Sequence, residues 1–264
     1  SDLIYDITSH AINKNMWQVI RNYLNGIKDL SKIYRKIILG KLSPKDFYII
    51  YNNLTTINNI FLHISKDTTL LNYIDTENVT FCISEIQEYI YKYLNLECCK
   101  KYDDLSFDKF NLNCIYDIML FNDNFSDDLN NTYHIFKNYY TKLIQIKDFL
   151  DLSIKDYESK NNSSGTLNKR NENSDYIKLH ECPKTEPALI GTTRRLNVLK
   201  KIINDLTCNE FNLKSIEIKS HNGSNSMITS NEINTIAKNI LKYKEMFFDN
   251  LTKEFSNFAN NFIQ

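Results

Sequence analysis

The 264-residue chain carries 32 basic and 32 acidic side chains, so it is not basic throughout, as a protein coating nucleic acid along its length would be. Only 5 Gly and 3 Pro stand against 17 Tyr and 15 Phe, and so few chain breakers disfavour a fold built from many short strands. No secretory leader is expected, and no run of about 18 apolar residues offers a membrane span, so no membrane partner is expected. The six cysteines (82, 98, 99, 114, 182 and 208) lack metal-ligand spacing, and the adjacent pair Cys98-Cys99 is a poor start for a disulfide framework. Reduced thiols and an intracellular setting are the expectation.

In chain order, Trp17, Ile20 and Leu24 mark a helix from Asn13 to Leu24, broken near Gly26. Asp29 is placed to N-cap a second helix, Leu30 to Leu39, which Gly40 stops. Ser43-Pro44-Lys45-Asp46 restarts the chain with Ser at N-cap, Pro at N1 and an acid at N3. Phe47, Ile50, Leu54, Ile57, Phe61 and Ile64 then carry an apolar stripe to about Ser65. A short helix is expected near Thr68–Tyr73. A longer one is expected over Glu77–Leu94, with Val79, Cys82, Ile86, Ile90 and Tyr93 on its apolar face. Residues 98–113 show no clear period, and the apolar run Ile115–Phe121 reads equally as a strand or a helix end.

The second half is organised by two long amphipathic helices. The first is expected from Ser126 to about Tyr157, with Tyr133, Phe136, Tyr140, Leu143, Ile146 and Leu150 on one stripe. The second begins at Thr229, taken as N-cap with Glu232 completing a capping box. Its stripe is Ile233, Ile236, Ile240, Tyr243, Phe247, Leu251, Phe255, Phe258 and Phe262. Ser230 to Gln264 in one helix would span roughly 50 Å, and so long a helix needs a long partner. Between the two, Ser159–Ser174 is a polar loop, Tyr176–Cys182 and Ala188–Thr193 alternate as strands, and Arg194–Asn204 is a short helix. Ser215–Lys219 and Ser226–Ile228 then flank a hairpin turn at His221–Asn225. A four-stranded antiparallel sheet with one helix is expected there. Charge is uneven along the chain. Residues 160–230 hold eleven basic and seven acidic side chains, whereas residues 111–159 hold four and eight.

Four stretches, in order, resemble the lever and clamp region of the MutS family of DNA mismatch-recognition ATPases. They are Gly26-Ile-Lys-Asp-Leu-Ser-Lys-Ile-Tyr-Arg-Lys-Ile37, Gly40-Lys-Leu-Ser-Pro-Lys-Asp46, Phe121-Asn-Asp-Asn-Phe-Ser-Asp-Asp-Leu129 and Ile228-Thr-Ser-Asn-Glu-Ile233. Tyr176–Leu199, with His180-Glu-Cys-Pro-Lys-Thr and Leu189-Ile-Gly-Thr-Thr-Arg-Arg195, is similar to the branch found in large DNA viruses and octocoral mitochondria. The chain departs from the family pattern at Asn122–Phe125, which lacks a Gly, after Thr229, where no Pro follows, and at Ser31 and Lys32. The resemblance implies a mainly α fold, a helical lever bundle whose two long antiparallel helices carry a small antiparallel β clamp insert. The implied division is a helical lever core over 1–125, long lever helices over 126–157 and 229–264, and the clamp over 158–228.

The function so implied is that of a lever and clamp piece encircling double-stranded DNA through phosphate contacts, coupled to an ATPase domain elsewhere, with a second copy of the protein as a further partner. The candidate DNA contacts are Lys178, Lys184, Arg194, Arg195, Lys200, Lys201, Lys214 and Lys219. ATP and Mg belong to the implied whole protein, because no Gly-x-x-x-x-Gly-Lys-Ser/Thr loop occurs in these residues. No catalytic or metal site is expected. Asp103-Asp104 and Asp127-Asp128 are adjacent pairs, which do not face one another on a helix, and His180 with Cys182 lacks a second ligand pair. The alternative is a helical scaffold that binds protein partners and no DNA.

Overall fold

The computed structural model describes residues 16–66, 76–123, 125–161, 174–208 and 211–263. The expected helix at Thr68–Tyr73, most of the polar loop at Ser159–Ser174 and the side chain of Trp17 lie outside the described residues. The chain is mainly helical with a small antiparallel sheet of four strands. It divides into two compact units, one of 1–105, 116–126 and 252–264, the other of 106–115 and 127–251.

The first unit opens with α1 (Met16–Gly26), α2 (Leu30–Ile38) and α3 (Pro44–Ile64). The expected caps form. Asp29 accepts from the amides of Ser31 and Lys32, and Gly40 turns the chain out of α2 at φ 60°, a conformation glycine adopts without a Cβ penalty. Ser43 and Asp46 make the reciprocal capping box at the start of α3. Asp46 also holds the Lys36 ammonium at 2.7 Å, so one buried carboxylate ties the end of α2 to the start of α3. Burial pushes the Asp46 carboxyl up, but hydrogen bonds from Lys36 and Ser43 and the Lys36 charge outweigh it, and the net shift is downward from 3.8. Within α3, Phe47 is fully buried and meets the rings of Phe255, Phe258 and Phe262 at 5.1–5.8 Å.

Helix α4 (Thr76–Tyr93) turns only the later part of the expected face inward, with Ile90 buried and Tyr93 half-buried. Val79, Cys82 and Ile86 are exposed, while Ile83, Ile90 and the following Leu94 are buried. The helix is apolar on two sides, and a polar bond sets its rotation. Gln87 reaches the Tyr51 carbonyl and the Thr55 hydroxyl of α3, which brings Ile83 and Ile90 inward with it. After α4, the amides of Asn95 and Asn122 bond the carbonyls of Leu120 and Tyr93. Residues 116–121 therefore run beside the end of α4, and Phe121 forms a single antiparallel bridge with Leu94. The short helix α5 (Leu96–Cys99) buries both its cysteines. Burial drives the Cys99 thiol up to about 12, so it stays protonated and unreactive.

The second unit is built on α6 (Asp127–Asn161) and on the part of α8 (Asn231–Ile263) up to Leu251. Thr132 meets Asn250, Tyr133 meets Phe247, and Tyr139 stacks on Tyr243 at 5.8 Å. Rising numbers on α6 meet falling numbers on α8, so the two helices run antiparallel here. All six residues of the stripe expected on α6 are buried. Between the helices lie β1 (Ile177–His180), β2 (Ala188–Thr192), α7 (Thr193–Ile202), β3 (Glu217–Ser220) and β4 (Asn225–Thr229). The sheet order is β1-β2-β4-β3 with every neighbour antiparallel. Gly223, at φ 56°, closes the β3–β4 hairpin. Residues 106–115 pack into this unit through Phe110, Leu112 and Ile115, and the Ile115 carbonyl accepts from the Tyr133 hydroxyl.

The α8 N-cap is one residue later than expected. Thr229 is the last residue of β4, and Ser230 caps instead, its hydroxyl accepting the Ile233 amide at 3.0 Å. The sheet ladder decides this, because Thr229, as the last residue of β4, is paired with Glu217 and stays extended. Its hydroxyl is buried and finds no hydrogen-bond partner among the described residues.

Two outcomes follow. Ser230→Ala is expected to cost about 0.5–2 kcal/mol through the lost cap, whereas Thr229→Val removes only an unbonded buried hydroxyl and is expected to leave stability unchanged or raised; urea melts of both variants check the order. Asp46→Asn is expected to destabilise the chain at neutral pH. Because the Asp46 pKa is lowered on folding, its contribution is present above 3.8 and is lost as pH falls through the folded value. Melts at pH 7 and pH 3 therefore test whether the difference between parent and variant shrinks in acid.

Candidate nucleic-acid interface

Strand alternation sorts the sheet into two faces, because residues paired across antiparallel strands point the same way. Leu179, Leu189, Ile228 and Ile218 form one cross-strand row. With Ile177 and Gly191 they belong to the inner face. Helix α7 fits closely at Gly191, where a Cβ would come within 2.8 Å of the Tyr176 carbonyl and 3.2 Å of Leu196. Leu196 and Leu199 of α7 are fully buried. The alternate row, Lys178, Ile190, Met227 and Lys219, belongs to the opposite face. Its apolar members are half-buried and its two lysines, on the two edge strands, are exposed.

A cluster of side chains from α6 and α7 anchors the start of β1. The buried Asp151 carboxylate accepts the amides of Tyr176 and Ile177 at 2.6 and 2.8 Å through one oxygen and meets Lys155 at 2.7 Å through the other. The Tyr176 ring carries the Arg195 guanidinium at 3.5 Å from its centroid, with Lys155 at 5.3 Å. Burial pushes the Tyr176 hydroxyl up, and the Glu158 carboxylate adds to the shift. Beside it, a hydrogen bond from Lys147 holds the Asp175 carboxyl below 3.8.

The eight basic residues expected to meet DNA therefore occupy different surroundings. Lys178 and Lys219 share the outer row of the sheet, and Lys219 also pairs with Glu217 at 3.2 Å. Lys200 lines a shallow concavity together with Lys219 and Ile203, Ile216, Glu217 and Ile218. Arg194 and Lys201 are exposed on α7, and Lys214 is exposed on a single 3-10 turn, Leu213–Ser215. Lys184 pairs with Asp108 at 3.6 Å, both side chains exposed. Arg195 is held on Tyr176. This cluster has no local sequence signature, because Asp151 and Lys155, four apart on a helix, have the spacing of any surface ion pair.

Gly40 and Gly223, with left-handed backbone, end a helix and close a hairpin. No three His, Cys, Asp or Glu side chains converge as a metal site among the described residues, although Cys182 lies 3.7 Å from His180. Among the described residues no helix is long and apolar enough to cross a membrane. No family model matches the chain, and no curated protein matches it.

Arg195→Gln is expected to lower stability by about 0.5–2 kcal/mol through loss of the stacked cation. The neighbouring Arg194→Gln should stay within about 0.5 kcal/mol of the parent, as exposed substitutions do. Thermal melts of the two variants separate the anchored arginine from the free-standing one.

Proposed function

We propose that the chain is a MutS-like lever and clamp piece whose sheet rests on the phosphate backbone of double-stranded DNA without reading sequence. The observation that carries this is the outer row of the sheet, which is bordered on its two edges by Lys178 and Lys219. Three strand spacings separate these lysines by about 14 Å, close to the roughly 12 Å width of a B-DNA major groove. Exposed lysines at that separation suit two backbone contacts and carry no base code. Lys200, at the β3 edge, and Arg194 extend the positive surface. The chain itself is assigned no turnover, ATP hydrolysis being ascribed to the family's nucleotide-binding domain, and a second copy is a further proposed partner.

A second reading, a helical module for protein partners, is favoured by Leu30, Tyr34 and Ile38. These lie at helical spacing along α2 and are 50 %, 65 % and 65 % exposed.

The test is duplex affinity measured against salt for the parent and for a Lys178→Glu/Lys219→Glu variant. Arg195 is left intact so that the Tyr176 stack survives. The parent is expected to bind weakly, to treat matched and mismatched duplexes alike, and to lose affinity steeply as salt rises. Two lost phosphate contacts should reduce the log–log salt slope by about 2. An unchanged affinity and slope would remove the sheet as a DNA contact and leave the protein-binding reading.

A further inference from the structure

Within the first unit, the face of α8 past Leu251 and the end of α4 enclose a cleft of about 590 Å³. Tyr89 and Tyr93, one helical turn apart on α4, wall one side. Phe258 forms the floor, its ring parallel to Tyr89 within 16° at 5.6 Å and edge-on to Tyr93 at 6.1 Å. Phe125 completes the aromatic wall, edge-on to Tyr93 at 5.9 Å and stacked on Phe121 at 3.8 Å. The polar lining comes from α8, where Glu254, Asn257 and Asn261 repeat at three and four residues and so share one face. No hydrogen bond or ion pair engages the Glu254 carboxylate among the described residues.

We propose that this cleft binds the guanidinium of an arginine side chain presented by a partner polypeptide. Aromatic faces carry negative potential and attract a cation held within about 6 Å of the ring, and the Lys92 ammonium already sits 5.1 Å from the Tyr93 centroid. Glu254 supplies the opposite charge. A guanidinium brings five N–H donors in a planar fork, which Glu254 accepts in pairs and the carboxamide oxygens of Asn257 and Asn261 complete. A quaternary ammonium has no N–H and would leave those acceptors unused, and a lysine ammonium lacks the flat face that stacks on tyrosine. Apolar side chains would bury the carboxylate unpaired. The site is independent of the DNA reading, so either can fail alone.

The experiment titrates the 264-residue chain, with tyrosine rings isotopically labelled, against the capped tripeptide acetyl-Gly-Arg-Gly-amide. Matched citrulline and lysine peptides and free adenosine serve as comparators. The arginine peptide is expected to shift the Tyr89 and Tyr93 resonances. The uncharged isostere citrulline should bind at least about tenfold more weakly, as loss of a charge-assisted fork on an aromatic face requires. Glu254→Gln should bring the arginine peptide down to the citrulline level. Lys92→Gln, which removes a like charge beside Tyr93, should strengthen binding about two- to threefold. That gain of affinity cannot come from a misfolded variant. Equal binding of arginine and citrulline, indifference to Glu254→Gln, or tighter binding of adenosine through the same two rings would each overturn the proposal.

Discussion

A lysine in the middle of an apolar helix face decides how the second unit closes. Lys244 sits one turn from Phe247 and Phe248 and is only 2 % exposed. A bare ammonium there would cost several kcal/mol. Its charge is met by Glu181 at 3.0 Å, by the Phe110 carbonyl at 3.3 Å and by the rings of Phe107 and Phe110 at 4.7 and 5.4 Å. The second Glu181 oxygen accepts the Leu112 amide at 2.8 Å. One ion pair thus fixes three pieces of chain distant in sequence: the residue after β1, the segment 106–115 and α8. Breaking either half leaves a buried charge without its partner, so these pieces are held together or not at all.

The same device recurs with carboxylates. Asp46 in the first unit and Asp151 in the second are both buried, and each holds a lysine while accepting backbone amides, one for Asp46 and two for Asp151. Both carboxylates are thereby engaged within the fold. They orient elements. Asp46 sets the turn between α2 and α3, and Asp151 sets where β1 starts against α6 and, through Tyr176, where Arg195 rests.

The fold divides the basic side chains described between Lys178 and Lys219 into three kinds. Arg195 is spent on a ring, Lys184 and Lys219 have acidic neighbours, and Lys178, Arg194, Lys200, Lys201 and Lys214 stand exposed. A count of basic residues along the sequence treats all of these alike. The fold distinguishes them by strand register and by the position of one tyrosine.

The sequence by itself determined the elements whose signals are local. The caps at Asp29 and Ser43, the stop at Gly40, the six-residue stripe of α6 and the alternation of four short strands all depend on neighbours within a few positions, and each formed close to where it was read. The rotation of α4, the shift of the α8 cap from Thr229 to Ser230 and the fate of residues 106–115 required the tertiary structure. In each case the deciding partner is distant in the chain: α3 for Gln87, β3 for Thr229, Glu181 and Lys244 for the 106–115 segment. Local propensity leaves two faces or two registers nearly equal in energy, and a long-range hydrogen bond, ladder pair or buried charge selects one.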